Sequence, residues 1–353
     1  MNFWDTIVSV LTNEKFLGAV FATIAVILIS YVLRRKEVLG KGAKGVLTTI
    51  IMKIGLPCLA FNSFMKDLNS EEFKTSMSIM IFSIALHLIL ILVTKLFFKK
   101  QEAAIRKVWR MCLIFGNVSF FSMPILEGVY GNDIVISENL ILIGFRIFLY
   151  SYAFYVMSGL SFHFTKKDIG SSIKKIFLNP IMMGTLLGLL IWALQNVLPQ
   201  VSVNGVSYCF LRIDKTLPIL YTPITYLKSL ATPLSWILIG VILGEANFKT
   251  AFKNKKVWLL SLLKTFAVPA FTLAILVLVS VLHIATISRY GAIAMVIMMA
   301  APVSTVINAY AAQFDNQSYF VSDMCLISTL TAIVAMPIFI VITEAVCSMV
   351  GLV

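Results

Sequence analysis

Two stretches of the sequence place helix-interrupting residues inside long apolar runs: GNVSFFSMP at residues 116–124 and APVSTVINAY at residues 301–310. The first lies within the run 108–129, and the second lies within the run 289–314. A bilayer core has no water to hydrogen-bond free backbone groups, so an interrupted helix is tolerated there only where it is buried in protein or lines a cavity. Paired interruptions in the two halves of a chain indicate a binding site at membrane depth.

The composition indicates a polytopic membrane protein. The 353 residues are 59% hydrophobic and 13% charged, whereas soluble domains average about 25% charged residues. The net charge of +13 does not indicate nucleic-acid binding, because the basic residues lie in short loops between apolar runs, where they set membrane orientation. The five cysteines are far apart and form no C-x-x-C pair, so neither a disulfide framework nor a metal site is expected.

Runs of about 20 apolar residues predict membrane spans. Ten such runs cover residues 16–33, 46–65, 75–98, 108–130, 137–162, 178–198, 221–243, 257–282, 289–314 and 321–349. The predicted fold is therefore an all-α membrane protein with ten transmembrane helices, five in residues 1–165 and five in residues 176–353. Because five is odd, a duplicated half must be inserted upside down.

Similar features follow the same order in both halves and support an inverted repeat. Pro57 of span 2 corresponds to Pro233 of span 7, and we expect both prolines to interrupt their helices. The interruption of span 4, with Gly116 and Pro124, corresponds to that of span 9, with Pro302. Both interruptions also contain a Val-Ser pair.

Basic residues alternate between the loops and predict the orientation. Lys and Arg cluster in the loops after spans 1, 3, 5 and 7, for example at Arg34-Arg35-Lys36 and Lys166-Lys167. The intervening loops are poorer in basic residues and carry Asp67 and Asp133. The positive-inside rule then makes the basic loops cytoplasmic and places both termini outside.

The chain resembles the auxin efflux carrier family, including its bacterial malate and malonate permeases. The residues that carry the resemblance are Pro57 in span 2, Gly116-Asn117, Phe120, Met123-Pro124 and Tyr130-Gly131 in span 4, GVILGE at 240–245, and Ala301-Pro302, Ala309 and Ala312 in span 9. They extend over nearly the whole chain. No long hydrophilic loop follows span 5, unlike in many plant carriers, which favours a compact member in a bacterial plasma membrane.

The resemblance implies a sodium/proton-antiporter-like fold of two inverted five-helix repeats, in which spans 4 and 9 cross at their interruptions. Spans 1, 2, 6 and 7 would form a scaffold, and spans 3, 4, 5, 8, 9 and 10 a transport bundle. A homodimer through the scaffold helices is compatible with that arrangement.

The crossing has the chemistry of an anion site. Each second half-helix presents unpaired N–H groups and an N-terminal partial charge of about +0.5. By resemblance, Asn117 lies in the substrate pocket, and Asn308 is its nearest polar counterpart in span 9. Ser119 and Ser304 are further candidates for substrate contact. The alternative is that these polar side chains only cap freed backbone groups.

Arg146 lies about ten residues into span 5, near mid-membrane, where a charge is costly and must face a cavity or a partner. Its planar fork can hold a carboxylate through two hydrogen bonds. Two interpretations remain open: it binds a substrate carboxylate, or it pairs structurally with backbone carbonyls or Glu127. Lys53, Lys228 and Lys264 also lie within spans, where long side chains usually extend to the membrane surface.

The sequence therefore predicts a secondary transporter of a small organic anion, with no cofactor and with coupling to protons or sodium. Phosphate loops, a nucleophile elbow and a Ser-His-Asp constellation are not evident, so an enzyme is not expected. One alternative is a sodium-coupled symporter of the bile-acid type, which needs acidic ion ligands near the crossing. Another is a non-transporting sensor, which usually appends a soluble domain; here the last predicted span ends at residue 349 of 353.

The orientation is tested by cysteine accessibility. A cysteine at Lys166 should resist impermeant thiol reagents applied outside intact cells, because its loop is predicted to be cytoplasmic. A cysteine at Asp67 is the control and should react. Labelling at residue 166 with none at residue 67 would reverse the assignment.

Overall fold

The computed structural model describes residues 8, 12, 14–68, 70–158, 178, 180–245, 251–314 and 316–351. The described part is almost entirely helical and has one short β-hairpin. The predicted loop after span 5, with Lys166, Lys167, Lys174 and Lys175, lies outside the described residues, as does the predicted boundary between the halves at residues 165–176.

The described residues of the first half form eight helices. They are α1 (Glu14–Arg35), α2 (Ala43–Ile50), α3 (Leu56–Ser63), α4 (Ser70–Thr94), α5 (Ala103–Ile114), α6 (Met123–Tyr130), α7 (Val135–Phe148) and α8 (Phe154–Ser158). The π-helical turns Ile51–Gly55 and Leu149–Ala153 join α2 to α3 and α7 to α8, and the π-turn Val118–Ser122 leads into α6. A short 3₁₀ turn, Gly131–Asp133, follows α6.

In the second half, the described residues form nine helices and the hairpin. The helices are α9 (Pro180–Leu194), α10 (Ile213–Thr216), α11 (Pro218–Ser229), α12 (Ala231–Glu245), α13 (Lys255–Leu262), α14 (Val268–Val281), α15 (Arg289–Ala300), α16 (Thr305–Gln313) and α17 (Ser318–Val350). The strands β1 (Gln200–Val203) and β2 (Val206–Cys209) pair antiparallel, and the π-turn Leu263–Ala267 joins α13 to α14.

Prolines explain three of these π-turns. Pro57, Pro124 and Pro269 each lie two residues after a π-turn. A proline has no N–H to donate, and its ring clashes with the carbonyl four residues earlier. Widening the preceding turn removes that clash, and such π-bulges are frequent at functional sites.

Six helical stretches within the described residues are long and apolar enough to cross a membrane. They are Ala43–Ser63, Phe73–Thr94, Val135–Ser158, Pro218–Glu245, Lys255–Val281 and Ser318–Val350. Each of the ten predicted ranges contains helix, but predicted spans 4 and 9 are divided into the pairs α5–α6 and α15–α16. The half-helices are too short to cross singly, since about 20 residues are needed. The chain is thus a multi-pass, essentially all-α membrane protein.

Small residues allow the helices of predicted spans 1, 2, 6 and 7 to pack closely. A Cβ added to Gly240 of α12 would lie 2.4 Å from the carbonyl oxygen of Ile27 in α1. A Cβ added to Gly184 of α9 would lie 2.5 Å from the carbonyl oxygen of Pro57 in α3. Both distances are too short for any side chain, so backbone packs directly on backbone at these two positions.

The interruptions of predicted spans 2 and 7 face each other. Gly55 ends the π-turn before Pro57, and a Cβ added to it would lie 3.2 Å from the backbone of Ala231. Ala231 begins α12, separated by one residue from the end of α11 at Ser229, and lies two residues before Pro233. The bend of predicted span 7 thus precedes Pro233 by three residues, at Leu230.

The loop between predicted spans 6 and 7 is an ordered cap that the sequence analysis did not predict. Its hairpin leads to Arg212, which is 2% exposed and bonds Asp214 at 2.8 and 2.9 Å. Arg212 also donates to Asp67 at 2.9 Å. Those ion pairs raise the pKa of Arg212 against the lowering effect of burial. The contact with Asp67 joins this loop to the one after predicted span 2, which places both loops at the same end of the molecule.

Candidate functional site at the helix crossing

The two interrupted segments meet in an antiparallel bridge. α5 ends at Ile114 and α15 ends at Ala300, and the chain then becomes extended at Phe115 and Ala301. Gly116 pairs with Val303. The N–H of Asn117 donates to the carbonyl of Pro302 at 2.7 Å, and the N–H of Ser304 donates to the carbonyl of Phe115 at 3.1 Å.

The bridge satisfies backbone groups that the interruptions free. The N–H of Val303 donates to the hydroxyl of Ser328 in α17 at 3.0 Å, and Ser304 caps α16 by accepting from the N–H of Val306. Gly116 is required at this point, because an added Cβ would lie 2.9 Å from the Cβ of Ala301. The crossing is therefore a well-packed junction from which α6, through its π-turn, and α16 lead away.

A small cavity of about 40 Å³ lies at this junction. It has room for about three water-sized groups. Residues from the starts of both second half-helices line it, together with side chains of α7 and its π-turn: Gly116, Asn117, Val118, Ser119, Phe120, Phe145, Arg146, Leu149, Tyr150, Ser304, Thr305 and Val306, with Met52. The predicted residues Asn117, Arg146, Ser119 and Ser304 are thus brought together around one space.

A larger cavity of about 600 Å³ adjoins the small one at Asn117 and Thr305, which line both. Its other lining residues include Lys44, Phe121, Ile239, Ile242, Glu245, Val303, Asn308, Tyr319, Ser322, Asp323, Cys325 and Thr329. Asn308 contributes to this larger space and not to the small cavity. Lys44 and Glu245 lie at the ends of predicted spans 2 and 7 that face the basic loops.

The side chains of the two asparagines are available to a ligand. Asn117 precedes the π-turn Val118–Ser122 but makes no side-chain capping bond. No hydrogen bond of the Asn308 side chain occurs within the described part of the chain. Ser304, in contrast, is a helix cap. Ser304 is therefore a capping residue, whereas Asn117 and Asn308 line the larger cavity, where a side-chain amide can donate and accept hydrogen bonds.

Arg146 is the dominant charge at the junction. It is 3% exposed, and its Nη1 is buried without a hydrogen-bond partner among the described residues. The structural pairing with Glu127 is not observed: Glu127 accepts a hydrogen bond from the hydroxyl of Thr232 in α12 instead. A buried guanidinium with unmet donors is costly, and a carboxylate in the adjacent cavity would satisfy it in a bidentate fashion.

The sequence analysis did not identify three residues that the structure places at or beside the cavities. Asp323, the third residue of the last predicted span, lines the larger cavity. Tyr150 lines the small cavity. Lys264, expected to extend to the membrane surface, is instead fully buried beside Gly116. Lys264 is the eighth residue of its predicted span, and this depth was the sequence signal that could have indicated a buried lysine.

At the opposite end of these helices, polar contacts close the structure. They join α6 and the turn after it to α11 and α12. The hydroxyl of Thr232 donates to Glu127, and Lys228 donates to Asn132 at 3.3 Å. Nearby, Glu344 accepts from Arg289 at 2.7 Å and from Tyr130 at 2.8 Å. The larger cavity is therefore on the basic-loop side, and packed polar contacts are on the other side.

Fold and site together define a multi-pass membrane protein with a polar, positively charged junction between interrupted helices. A family model described as "Membrane transport protein" matches residues 15–340. The chain belongs to this family of membrane transporters, the family of the auxin efflux carriers, and the resemblance inferred from spans 4 and 9 is confirmed. No curated protein matches the chain.

Removing the side-chain amide of Asn117 tests the site. Asn117→Ala should lower the affinity for substrate about ten- to over a hundred-fold, since a hydrogen bond to a charged group contributes roughly 1.5–3 kcal/mol. Folding should be preserved, because the side chain makes no capping bond. Substrate binding and melting temperature are measured on the purified protein.

The matched control is Ser322→Ala, an exposed residue of the same larger cavity. It should bind as the wild type does. Equal affinity of the Asn117 variant and the control would assign Asn117 a structural role.

Proposed function

We propose that the protein is a secondary active transporter, a permease, for a small organic anion. The substrate would be a mono- or dicarboxylate such as malate or malonate, moved across a bacterial plasma membrane. The observation that carries this proposal is the buried, partly unpaired guanidinium of Arg146 in a cavity lined by the starts of two half-helices. The guanidinium and the positively charged starts of the two half-helices favour a carboxylate over a cation or a neutral solute.

The two cavities suggest how such an anion would sit. The small cavity has room for about one carboxylate group and offers Arg146, Asn117 and Ser119. The remainder of the molecule would extend past Asn117 and Thr305 into the larger cavity, towards Asn308. A second carboxylate there could accept from the amide of Asn308, which is why a dicarboxylate is proposed.

The mechanism we propose is alternating access by ten spans in two inverted halves, residues 1–165 and 176–353. Spans 1, 2, 6 and 7 would act as a scaffold, with the facing interruptions at Pro57 and Pro233, and the other six spans would carry the crossing. The contacts Glu127–Thr232 and Lys228–Asn132 join span 4 and its following loop to span 7. They would close the outer side while the larger cavity opens to the cytoplasm, with both termini outside. A homodimer would form through the scaffold.

The sodium-coupled alternative is favoured by one observation, the carboxylate of Asp323 in the larger cavity. It is the weaker candidate, because the other carboxylate of that cavity, Glu245, is already paired with Arg34 at 3.1 Å. With Asp323 left, among the described residues, as the one unpaired carboxylate of the larger cavity and the partly unpaired Arg146 lining the small one, an anion is the better-matched ligand.

Counterflow in proteoliposomes tests the function. Vesicles loaded with unlabelled malonate, malate or glutarate should accumulate the matching labelled anion, and protein-free vesicles should not. Labelled lysine, a cation of comparable size, should be excluded. Accumulation of the cation with none of the dicarboxylates would contradict the proposal. A requirement for external sodium, lost in Asp323→Asn, would identify the sodium-coupled alternative.

Two substitutions of Arg146 separate substrate anchoring from a structural role. If Arg146 binds a carboxylate, Arg146→Lys should bind poorly, because a point charge cannot reproduce the bidentate fork. Arg146→Gln should lose the anion yet keep or raise the melting temperature, since a costly buried charge is gone. Affinity for the transported dicarboxylate and melting temperature are measured on both variants.

Arg110→Gln is the matched control. Arg110 is also buried, but its donors bond Tyr152 at 2.9 Å and the carbonyl of Ile91 at 3.4 Å. Its replacement should lower the melting temperature and leave affinity unchanged. Normal affinity in Arg146→Lys would exclude the anchoring role.

A further inference from the structure

Lys264 lies directly behind the crossing. It belongs to the π-turn Leu263–Ala267 between α13 and α14 and is fully buried. A Cβ added to Gly116 would lie 3.4 Å from its Nζ. Gly116 also lines the small cavity that contains Arg146. Because glycine has no side chain, little more than backbone separates the lysine from the proposed anion site.

The Nζ of Lys264 has no hydrogen-bond partner among the described residues. An isolated ammonium buried in this way is far more costly than a neutral amine. The burial therefore favours the neutral amine while the anion site is empty. A negative charge placed on the other side of Gly116 would reverse that preference, since opposite charges a few ångströms apart in a low dielectric attract strongly.

The helices packed around Lys264 carry several titratable groups, of which Cys112 lies near enough to interact with it. The helices packed against its π-turn are α5, α13, α14, α15 and α17, and their ionisable residues are Arg106, Lys107, Arg110 and Cys112 on α5, Lys255 and Lys256 on α13, Arg289 and Tyr290 on α15, and Tyr319, Asp323, Cys325, Glu344 and Cys347 on α17, with none on α14. Cys112 interacts electrostatically with Lys264, as does His87 of α4. The Nδ1 of His87 contacts the carbonyl oxygen of Ser83 at 2.7 Å.

We propose that Lys264 is the proton-binding site of the transporter, and that a proton on Lys264 and an anion at the crossing stabilise each other. The amine lone pair accepts one proton from water, forming an N–H bond and a positive charge, and returns it to water after the anion leaves. Because such coupling is reciprocal, proton and anion would bind together and travel in the same direction. This inference rests on the proposed function.

Melting temperatures measured without substrate test whether the Lys264 amine is neutral. Lys264→Met should melt at or above the temperature of the wild type, and Lys264→Arg should melt several degrees lower, because arginine cannot lose its charge. Lys53→Met and Lys53→Arg are the controls; Lys53 also lies in a π-turn but is exposed, so both should melt close to the wild-type temperature. A stable Lys264→Arg with a destabilised Lys264→Met would identify a permanent structural cation and overturn the proposal.

Proton uptake tests the coupling. Malonate or malate, added to weakly buffered protein in nanodiscs with a pH-indicator dye, should draw about one proton per bound anion. That uptake should vanish in Lys264→Met and persist in His87→Gln. Uptake that persists in Lys264→Met would overturn the assignment, and its loss in His87→Gln alone would transfer the role to the histidine. Binding of neither anion would contradict the proposed function and the coupling together, whereas the melting temperatures would still decide the charge of Lys264.

Discussion

The structure depends on one constraint: two helices are interrupted at membrane depth, and their freed backbone groups must find partners where water is scarce. They find them in each other, through the Asn117–Pro302 and Phe115–Ser304 hydrogen bonds, and in the hydroxyl of Ser328. Gly116 permits the close approach. Once the two breaks are locked together, the second half-helices begin at a common point, and their N-terminal partial charges add there.

The charges around the junction follow from that arrangement. Positive ends of half-helices and the Arg146 guanidinium face the small cavity, and the Lys264 amine lies behind Gly116. The Nη1 of Arg146 and the Nζ of Lys264 both lack a hydrogen-bond partner within the described part of the chain. Such a site is poorly stabilised when empty and well stabilised when it holds an anion. This difference suits a protein that must bind a substrate and then release it. Under the proposed mechanism, the contacts Glu127–Thr232 and Lys228–Asn132 and the cavity on the basic-loop side would correspond to one of the two access states.

Much of this was predictable from the sequence, because apolar run length and proline and glycine positions are local signals. They gave helix in every predicted span and located the interruptions at residues 116–124 and 301–310. The sequence also placed Asn117, Asn308, Ser119 and Ser304 at the crossing, whereas for Arg146 it left substrate contact and structural pairing open. What local signals could not provide is the direction of each side chain. Whether Lys264 reaches the membrane surface or the core, and whether Asp323 faces a cavity, depends on helix rotation, which is decided by tertiary packing. The hairpin before Arg212 is short and its strands are mostly exposed, so hydrophobic periodicity gave no sign of it.

The central claim, that an anion binds at the crossing, is tested most directly by substrate protection of a cysteine at Thr305, which lines both cavities. The variant Thr305→Cys is made with Cys325→Ser, to remove the native thiol of the larger cavity, and is alkylated with and without malonate or malate. A second variant, Tyr319→Cys, carries its thiol at a residue that lines the larger cavity but is 89% exposed. The account predicts that the dicarboxylate slows alkylation at residue 305 several-fold and leaves residue 319 unaffected. Equal rates at residue 305 with and without an anion that is demonstrably transported would place the binding site elsewhere and contradict the account.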